Sequence, residues 1–238
     1  RVNAIEAVRL TTHPLVLELT GKTEPRTGLE GKFSVYHAAA SALLRADGAP
    51  TAFTDAAVNF IENYDGDKPF FLFVPFYAPH NPLETEPEWH AQYPVDQMKL
   101  PENFRETVAF DNGGFLGKER VAEGWKVSEE TAREWIAGLY ALTAHMDDGI
   151  RRIHEALERK GLMEETIVAH SGDHGKSSGH HGFQGKWTLY EHDLRVPLIL
   201  AGPDIPSGRR SDALVHQHDL FPTLLEAAGI DDPDTHFE

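Results

Sequence analysis

Nine consecutive residues, Phe70 to Ala78 (FFLFVPFYA), constrain the fold more than any other part of this chain. A run this apolar and aromatic reads as a strand buried on both faces, and so as part of a sheet with cover on each side. It is too short to span a bilayer. Asp65-Gly66-Asp67-Lys68-Pro69 forms the turn that opens it, and Pro79-His80-Asn81-Pro82 closes it. Downstream, Leu83 to Val127 carries Pro, Gly, Glu and Trp without periodicity, which predicts a long irregular region.

The second strong signal is a helix over Ser128 to Lys160. Ser128 suits the N-cap, and Glu129 and Glu130 suit the positive end of the helix dipole. Trp135, Leu139, Leu142, Met146, Ile150, Ile153 and Leu157 recur at steps of three and four, predicting an apolar face. Arg159, Lys160 and Gly161 close the helix. Residues 8–19 read as strand, 21–31 as loop and Phe33 to Ala46 as helix, with a stop at Asp47 to Pro50. Thr54 is placed as the cap of a helix over Asp55 to Tyr64. Short strands are expected at Thr166 to Ala169 and Val196 to Ala201, and a final helix at Asp219 to Ala228. Ser171 to Gly185 alternates Gly and His too tightly to be regular. This order of elements predicts an α/β fold with a partly parallel sheet.

Lys and Arg total 22 against 38 Asp and Glu, a formal net charge of −16. That surface repels nucleic-acid backbones and anionic membranes. An anionic small substrate stays admissible, because a metal or a Lys can invert the field inside a pocket. The chain has no cysteine, so disulfides, thiolate zinc sites and thiol nucleophiles are excluded from these 238 residues. No signal peptide is visible, and a chain beginning at Arg1 is expected to have a processed or truncated N-terminus.

The chemistry-bearing residues concentrate in His170-Ser171-Gly172-Asp173-His174-Gly175, His180-His181-Gly182 and Gly185-Lys186. Asp173 and His174 follow a short strand, at the sheet edge where open α/β folds build sites. Carboxylate plus imidazole suits Ca²⁺, Mg²⁺ or Mn²⁺. Lys186 could hold an anion beside the metal. The competing reading is a polar surface loop with bystander histidines. His80, between two prolines, reads either as an acid or anion ligand, or as a strand-end His bonded to backbone. Asp147 and Asp148 on the long helix could as paired carboxylates bind metal or do acid–base work, and the favoured reading is a solvated face or a loop-anchoring hydrogen bond.

In family order, KPFFLFVPFYAPHNPL (68–83), LYALTAHMDDGIRRIHEALERKGLMEETIVAHSGDHG (139–175), HHGFQGKWTLYEHDLRVPLILAGPDI (180–205) and HQHDLFPTLLEAAGI (216–230) resemble the sulfatase family of the alkaline-phosphatase-like superfamily. The resemblance covers about residues 50–238. It implies a partial alkaline-phosphatase-like sulfatase sheet with flanking helices, preceded by a short α+β segment. It also implies that Asp173 and His174 bind a divalent metal, with Ca²⁺ the first expectation and Mn²⁺ or Mg²⁺ the alternatives. By the same resemblance His80 and Lys186 contact a small-molecule sulfate ester, or a phosphate ester in a relative. Tyr190, Glu191 and Arg195 look like the structural tail of the Lys motif. The chain departs from the family at its nucleophile: neither C-x-P-S-R nor S-x-P-S-R occurs, nor do the family's N-terminal paired Asp ligands and upstream Lys and His. Arg151 stands where the family usually has Gly, and His170 and Gly172 replace commoner residues.

His13 to Leu44 instead resembles the C-terminal domain of the 2-methylcitrate dehydratase family. This predicts a chimera, with residues 1–50 from one family and 51–238 from another. The functional expectation is a sulfuric-ester hydrolase by resemblance, inactive or nearly so as this chain alone. The alternatives are a phosphodiester or phosphonate ester hydrolase, a non-catalytic metal- or anion-binding remnant and, last, a 2-methylcitrate dehydratase-like lyase. The expected partner is a small-molecule sulfate or phosphate ester, with no nucleic acid or membrane, and the oligomeric state is left open.

Overall fold

The computed structural model describes residues 50–66, 69–109, 126–186 and 188–229. The elements expected within residues 8–46 lie outside the described residues. The chain divides into two units, one of Arg1–Met163 with Ser178–Gln184 and the other of Glu164–Ser177 with Gly185–Glu238.

The first unit is built on two helices, α1 (Pro50–Asn63) and the long helix, which is preceded by the short α2 (Pro87–His90) and becomes α3 (Glu129–Arg159). The Ser128 hydroxyl accepts from the Thr131 N–H at 3.1 Å, as the sequence predicts for an N-cap. At the other end Gly161 adopts φ 69°, the Gly161 N–H donates to Glu158 O and the Leu162 N–H to Leu157 O, both at 2.9 Å. This left-handed closure satisfies two carbonyls the helix would otherwise orphan.

The buried seam of α3 keeps Leu142 and Leu157 of the expected stripe, whereas Trp135, Leu139, Met146, Ile150 and Ile153 are only half-buried. Ile136, Gly138, Ala141, His145, Gly149 and Ala156 make up much of the rest of it. Small residues allow close approach: a Cβ on Gly149 would lie 2.2 Å from Thr54 Oγ1 on α1. The pairs Thr51–His145, Asp55–Arg152 (2.6 Å) and Glu62–Arg159 (2.7 Å) climb both helices together, so α1 runs parallel to the C-terminal half of α3. Thr54 is therefore not a cap. The helix begins at Pro50, where a missing N–H is harmless, and the Thr54 hydroxyl donates back to Pro50 O at 2.9 Å.

His145 gathers this unit's polar interior. Its Nε2 lies 2.8 Å from Thr51 Oγ1, its Nδ1 lies 2.8 Å from Thr85 Oγ1 and 2.9 Å from Glu86 Oε2, and its ring stacks on Trp89 at 5.2 Å. Burial pushes the Glu86 carboxyl up, but its own backbone N–H, the Thr85 hydroxyl and His145 outweigh this and leave it below the ordinary value. Within the expected irregular region 83–127 the described residues include regular turns. Besides α2 it holds a 3₁₀ turn at Val95–Gln97, and Met98, with Tyr93 and Leu100 around it, packs on Ile136 and Ala137 of α3.

Phe70 to Tyr77 is extended but not the doubly buried strand the sequence predicts. Phe70, Leu72, Val74 and Phe76 are half-buried, with Phe70 and Phe76 against Phe60 and Phe53 of α1, while Phe71, Phe73 and Tyr77 are exposed. One face lies on α1. Among the described residues no strand pairs with the segment.

In the second unit, β1 (Val168–Ser171) pairs with β2 (Leu198–Ala201) in antiparallel register, Val168 opposite Ala201 and Ser171 opposite Leu198. The described sheet is this pair, so the partly parallel order expected from the element sequence is not found within it. Helices α4 (Glu191–Leu194) and α5 (Leu220–Ala227) complete the unit, α5 being led in by a 3₁₀ turn at Gln217–Asp219 whose His216 and Asp219 form a reciprocal cap. No helix among the described residues is long and apolar enough to cross a membrane.

Two outcomes follow for the first unit. Gly149→Ala should destabilise the chain by about 1–3 kcal/mol through overpacking, measured by urea denaturation, and Thr54→Ala should relieve part of that loss. Because Glu86 is held below its ordinary value, its contribution to stability is full at neutral pH. That contribution disappears as pH falls through the lowered value. Denaturation curves between pH 3 and 7 should therefore show a shallower acid limb in Glu86→Gln than in the parent.

Candidate functional site

Strand β1 delivers the chain into the turn Gly172-Asp173-His174-Gly175. Asp173 Oδ1 accepts the His174 N–H at 2.8 Å, and Oδ2 stands 3.6 Å from His174 Nε2. The Asp173 carboxylate is 85% exposed. His174 Nδ1 donates to Gly175 O at 2.8 Å, which leaves Nε2 to carry the lone pair whenever the ring is neutral. An oxygen and a nitrogen acceptor thus face each other across a gap that suits two ligands of one cation.

The turn is tied down on both sides. The Gln217 amide donates to Gly172 O, and the Gly175 N–H donates to Asp193 O at 2.8 Å. A Cβ on Gly175 would fall 1.9 Å from His192 O, so only glycine fits against α4 there. Two residues on, the Ser177 N–H donates to Gly185 O at 2.7 Å. Lys186, half-buried, is the next residue along that returning segment.

His80 belongs to the first unit. Its N–H donates to Tyr77 O at 3.0 Å, and its Nδ1 donates to Asn81 O at 2.9 Å, leaving Nε2 as the acceptor nitrogen of an exposed ring. The backbone bond of the bland reading is present, and it orients rather than occupies the nitrogen a ligand would use. His180 and His181 are accounted for differently. Asn103 accepts from His180 Nδ1 at 2.7 Å and donates to His181 Nε2 at 3.0 Å, pinning the 178–184 loop to the segment before α3. On α3, Asp148 is paired with Arg151 at 2.7 Å, and Arg151 also pairs with Glu155, so the solvated-face reading holds for Asp148.

Among the described residues no group of three His, Asp or Glu side chains forms a metal cage. Asp173 and His174 would be two donors of such a site. A hard oxygen and a neutral imidazole nitrogen are fitting donors for a divalent cation that completes its shell elsewhere. The sequence reading missed Asn103, His145 and Asp193. Each is a polar residue whose partners lie far along the chain or whose environment is set by packing, and no local motif marks them.

The sulfatase family model matches residues 20–230, and the chain belongs to that family. It is similar to the multifunctional alkaline phosphatase superfamily protein PehA of Trinickia caryophylli, 29% identical over 198 residues, covering 77% of this chain and 38% of that protein. It is also similar to a sulfatase of Formosa agariphila, 29% identical over 175 residues, covering 72% of this chain and 34% of the relative. Among solved structures, the Bacteroides fragilis protein yidJ, assigned as a sulfatase, aligns with a TM-score of 0.60 and 27% identity over 79% of this chain and 39% of its own. The chain therefore spans between a third and two fifths of the length of these relatives, and its fold is that of alkaline-phosphatase-like sulfatases.

The fit at Gly175 gives a direct check. Gly175→Ala must push the turn away from His192, so the variant should lose about 1–3 kcal/mol of stability in urea denaturation. The His174 ring resonances in a histidine-selective NMR spectrum should shift with it. An unchanged His174 environment would contradict the close fit.

Proposed function

We propose that these residues supply the metal-binding turn and two anion-binding groups of a sulfate-ester hydrolase. The observation that carries the reading is the Asp173–His174 pair, with its Oδ2 and Nε2 acceptors 3.6 Å apart and the imidazole tautomer fixed by Gly175 O. Asp173 and His174 would hold the cation, Ca²⁺ in the first instance and Mn²⁺ or Mg²⁺ otherwise. When bound it would supply Lewis-acid stabilisation of charge on a sulfuryl oxygen. The Lys186 ammonium would hold the anionic oxygens of the ester, and His80, through Nε2, would contact the ester and help neutralise the leaving sulfate. The substrate is a small-molecule sulfate ester. Family membership supports this class of chemistry.

Hydrolysis also needs a nucleophile, and these 238 residues contain neither a cysteine nor an S-x-P-S-R stretch. We therefore infer that the chain taken alone binds metal and anion without appreciable turnover. For residues 1–50 the proposal keeps the dehydratase-like origin, which adds no binding group to the site. Phosphodiester or phosphonate ester hydrolysis is the second reading, and the breadth of the PehA relative's name favours keeping it.

Calorimetric titration of the metal-stripped chain with Ca²⁺ and then Mn²⁺, beside Asp173→Ala, tests the reading. Saturable binding in the parent that disappears in the variant is expected, with no hydrolysis of an aryl sulfate by either. Absence of binding in both would overturn the metal turn. Rapid aryl sulfate hydrolysis abolished in Asp173→Ala would overturn binding without turnover.

A further inference from the structure

We propose that Asp193, which contacts neither metal nor ester in the reading above, is the positioning residue that sets the metal turn and the Lys186 turn against each other. The inference rests on that reading of Asp173, His174 and Lys186. Asp193 is 3% exposed. Its Oδ1 accepts from Ser177 Oγ at 3.0 Å, and its Oδ2 accepts from the Thr188 N–H at 3.0 Å and from Thr188 Oγ1 at 2.5 Å. Its main-chain carbonyl takes the Gly175 N–H. Gly175 follows His174 directly, Ser177 lies three residues beyond it, and Thr188 lies two residues beyond Lys186. One buried carboxylate therefore bridges the segments carrying both sets of proposed binding groups.

The arrangement needs a carboxylate. Its two oxygens receive three donors, and none of those donors can turn to water because Ser177, Thr188 and Asp193 are all buried. A buried carboxylate short of donors is strongly destabilising, so the three bonds are a condition of its being there. An amide in its place would offer one oxygen and set its NH₂ against one side of the bridge, where donors already stand.

Ser177, His192 and Asp193 also hold the residue types of a hydrolytic triad, but their wiring is wrong for it. Asp193 Oδ1 lies 3.7 Å from His192 Nε2, and Ser177 Oγ lies 3.1 Å from that same nitrogen. In a triad the carboxylate holds the far ring nitrogen, and the serine reaches substrate. Ser177 has 0% exposure. The cluster is a clamp and not a nucleophile.

The two arms of the clamp can be cut separately in the full chain and read with two probes, Ca²⁺ and inorganic sulfate, by calorimetry. Ser177→Ala, on the metal side, should weaken Ca²⁺ by roughly tenfold while changing sulfate less, the scale seen when a partner of a metal ligand is removed. Thr188→Val should do the reverse, and Asp193→Asn should weaken both. If all three variants lose thermal stability while the folded proteins keep both parental affinities, Asp193 is only a fold staple and the proposal is overturned. A parent that binds neither probe would instead overturn the functional reading. In that case amide exchange decides the clamp on its own. Slow exchange at Gly175 and Thr188 in the parent, with Thr188 released in Asp193→Asn, is expected, and fast exchange at both in the parent would overturn it.

Discussion

An ionised carboxylate taken out of water costs several kcal/mol unless donors replace the water it loses. Asp193 is taken almost wholly out of water, and its donors come from Ser177 and Thr188, on either side of a hairpin-like return. Much else in the second unit follows from satisfying that charge. Gly175 must lack a side chain to reach the Asp193 carbonyl, the Ser177 and Gly185 backbones are drawn together, and the Asp173–His174 turn is left at the open end with its acceptors outward.

The first unit solves a similar problem with a neutral device. A seam of Gly and Ala on α3 brings α1 close enough for Thr54 to fill the space above Gly149. In that seam a single large polar residue, His145, is tolerated because Thr51, Thr85 and Glu86 meet its two nitrogens and Trp89 covers its face. The cluster links three separate stretches of chain, which is what an irregular segment needs if it is to hold a fixed path along a helix. His80 sits on the same unit at the end of the Phe70–Tyr77 segment, with its ring oriented by the next carbonyl.

The features readable in the sequence were those with local causes. Ser128, Glu129, Glu130 and Gly161 announce the ends of α3 because capping acts within one turn. The Gly- and His-rich stretch before Lys186 announces irregular backbone for the same reason. The family, and with it the fold, was legible from the order of the motifs. Features with distant causes were not legible. Of the large apolar residues of α3, Leu142 and Leu157 are buried as their spacing predicts, but five others are only half-buried, since close helix packing draws in the small residues beside them. Thr54 looks like a cap until Pro50 is seen to start the helix. FFLFVPFYA reads as doubly buried on hydrophobicity alone, yet burial requires two covers, and the described residues supply one. Asp193 lies in a stretch where nothing distinguishes it from its charged neighbours, and only its partners 5 and 16 residues away reveal its place.

The proposed function stands on Asp173 and His174 forming one preorganised side of a metal site. Long-range ¹⁵N–¹H NMR of the histidine side chains, before and after addition of substoichiometric Mn²⁺, puts this to the test. His174 is expected to carry its proton on Nδ1 in the metal-free chain, and Mn²⁺ is expected to broaden the His174 ring signals ahead of those of other exposed histidines. A proton on Nε2, or broadening spread evenly over the exposed histidines, would overturn it.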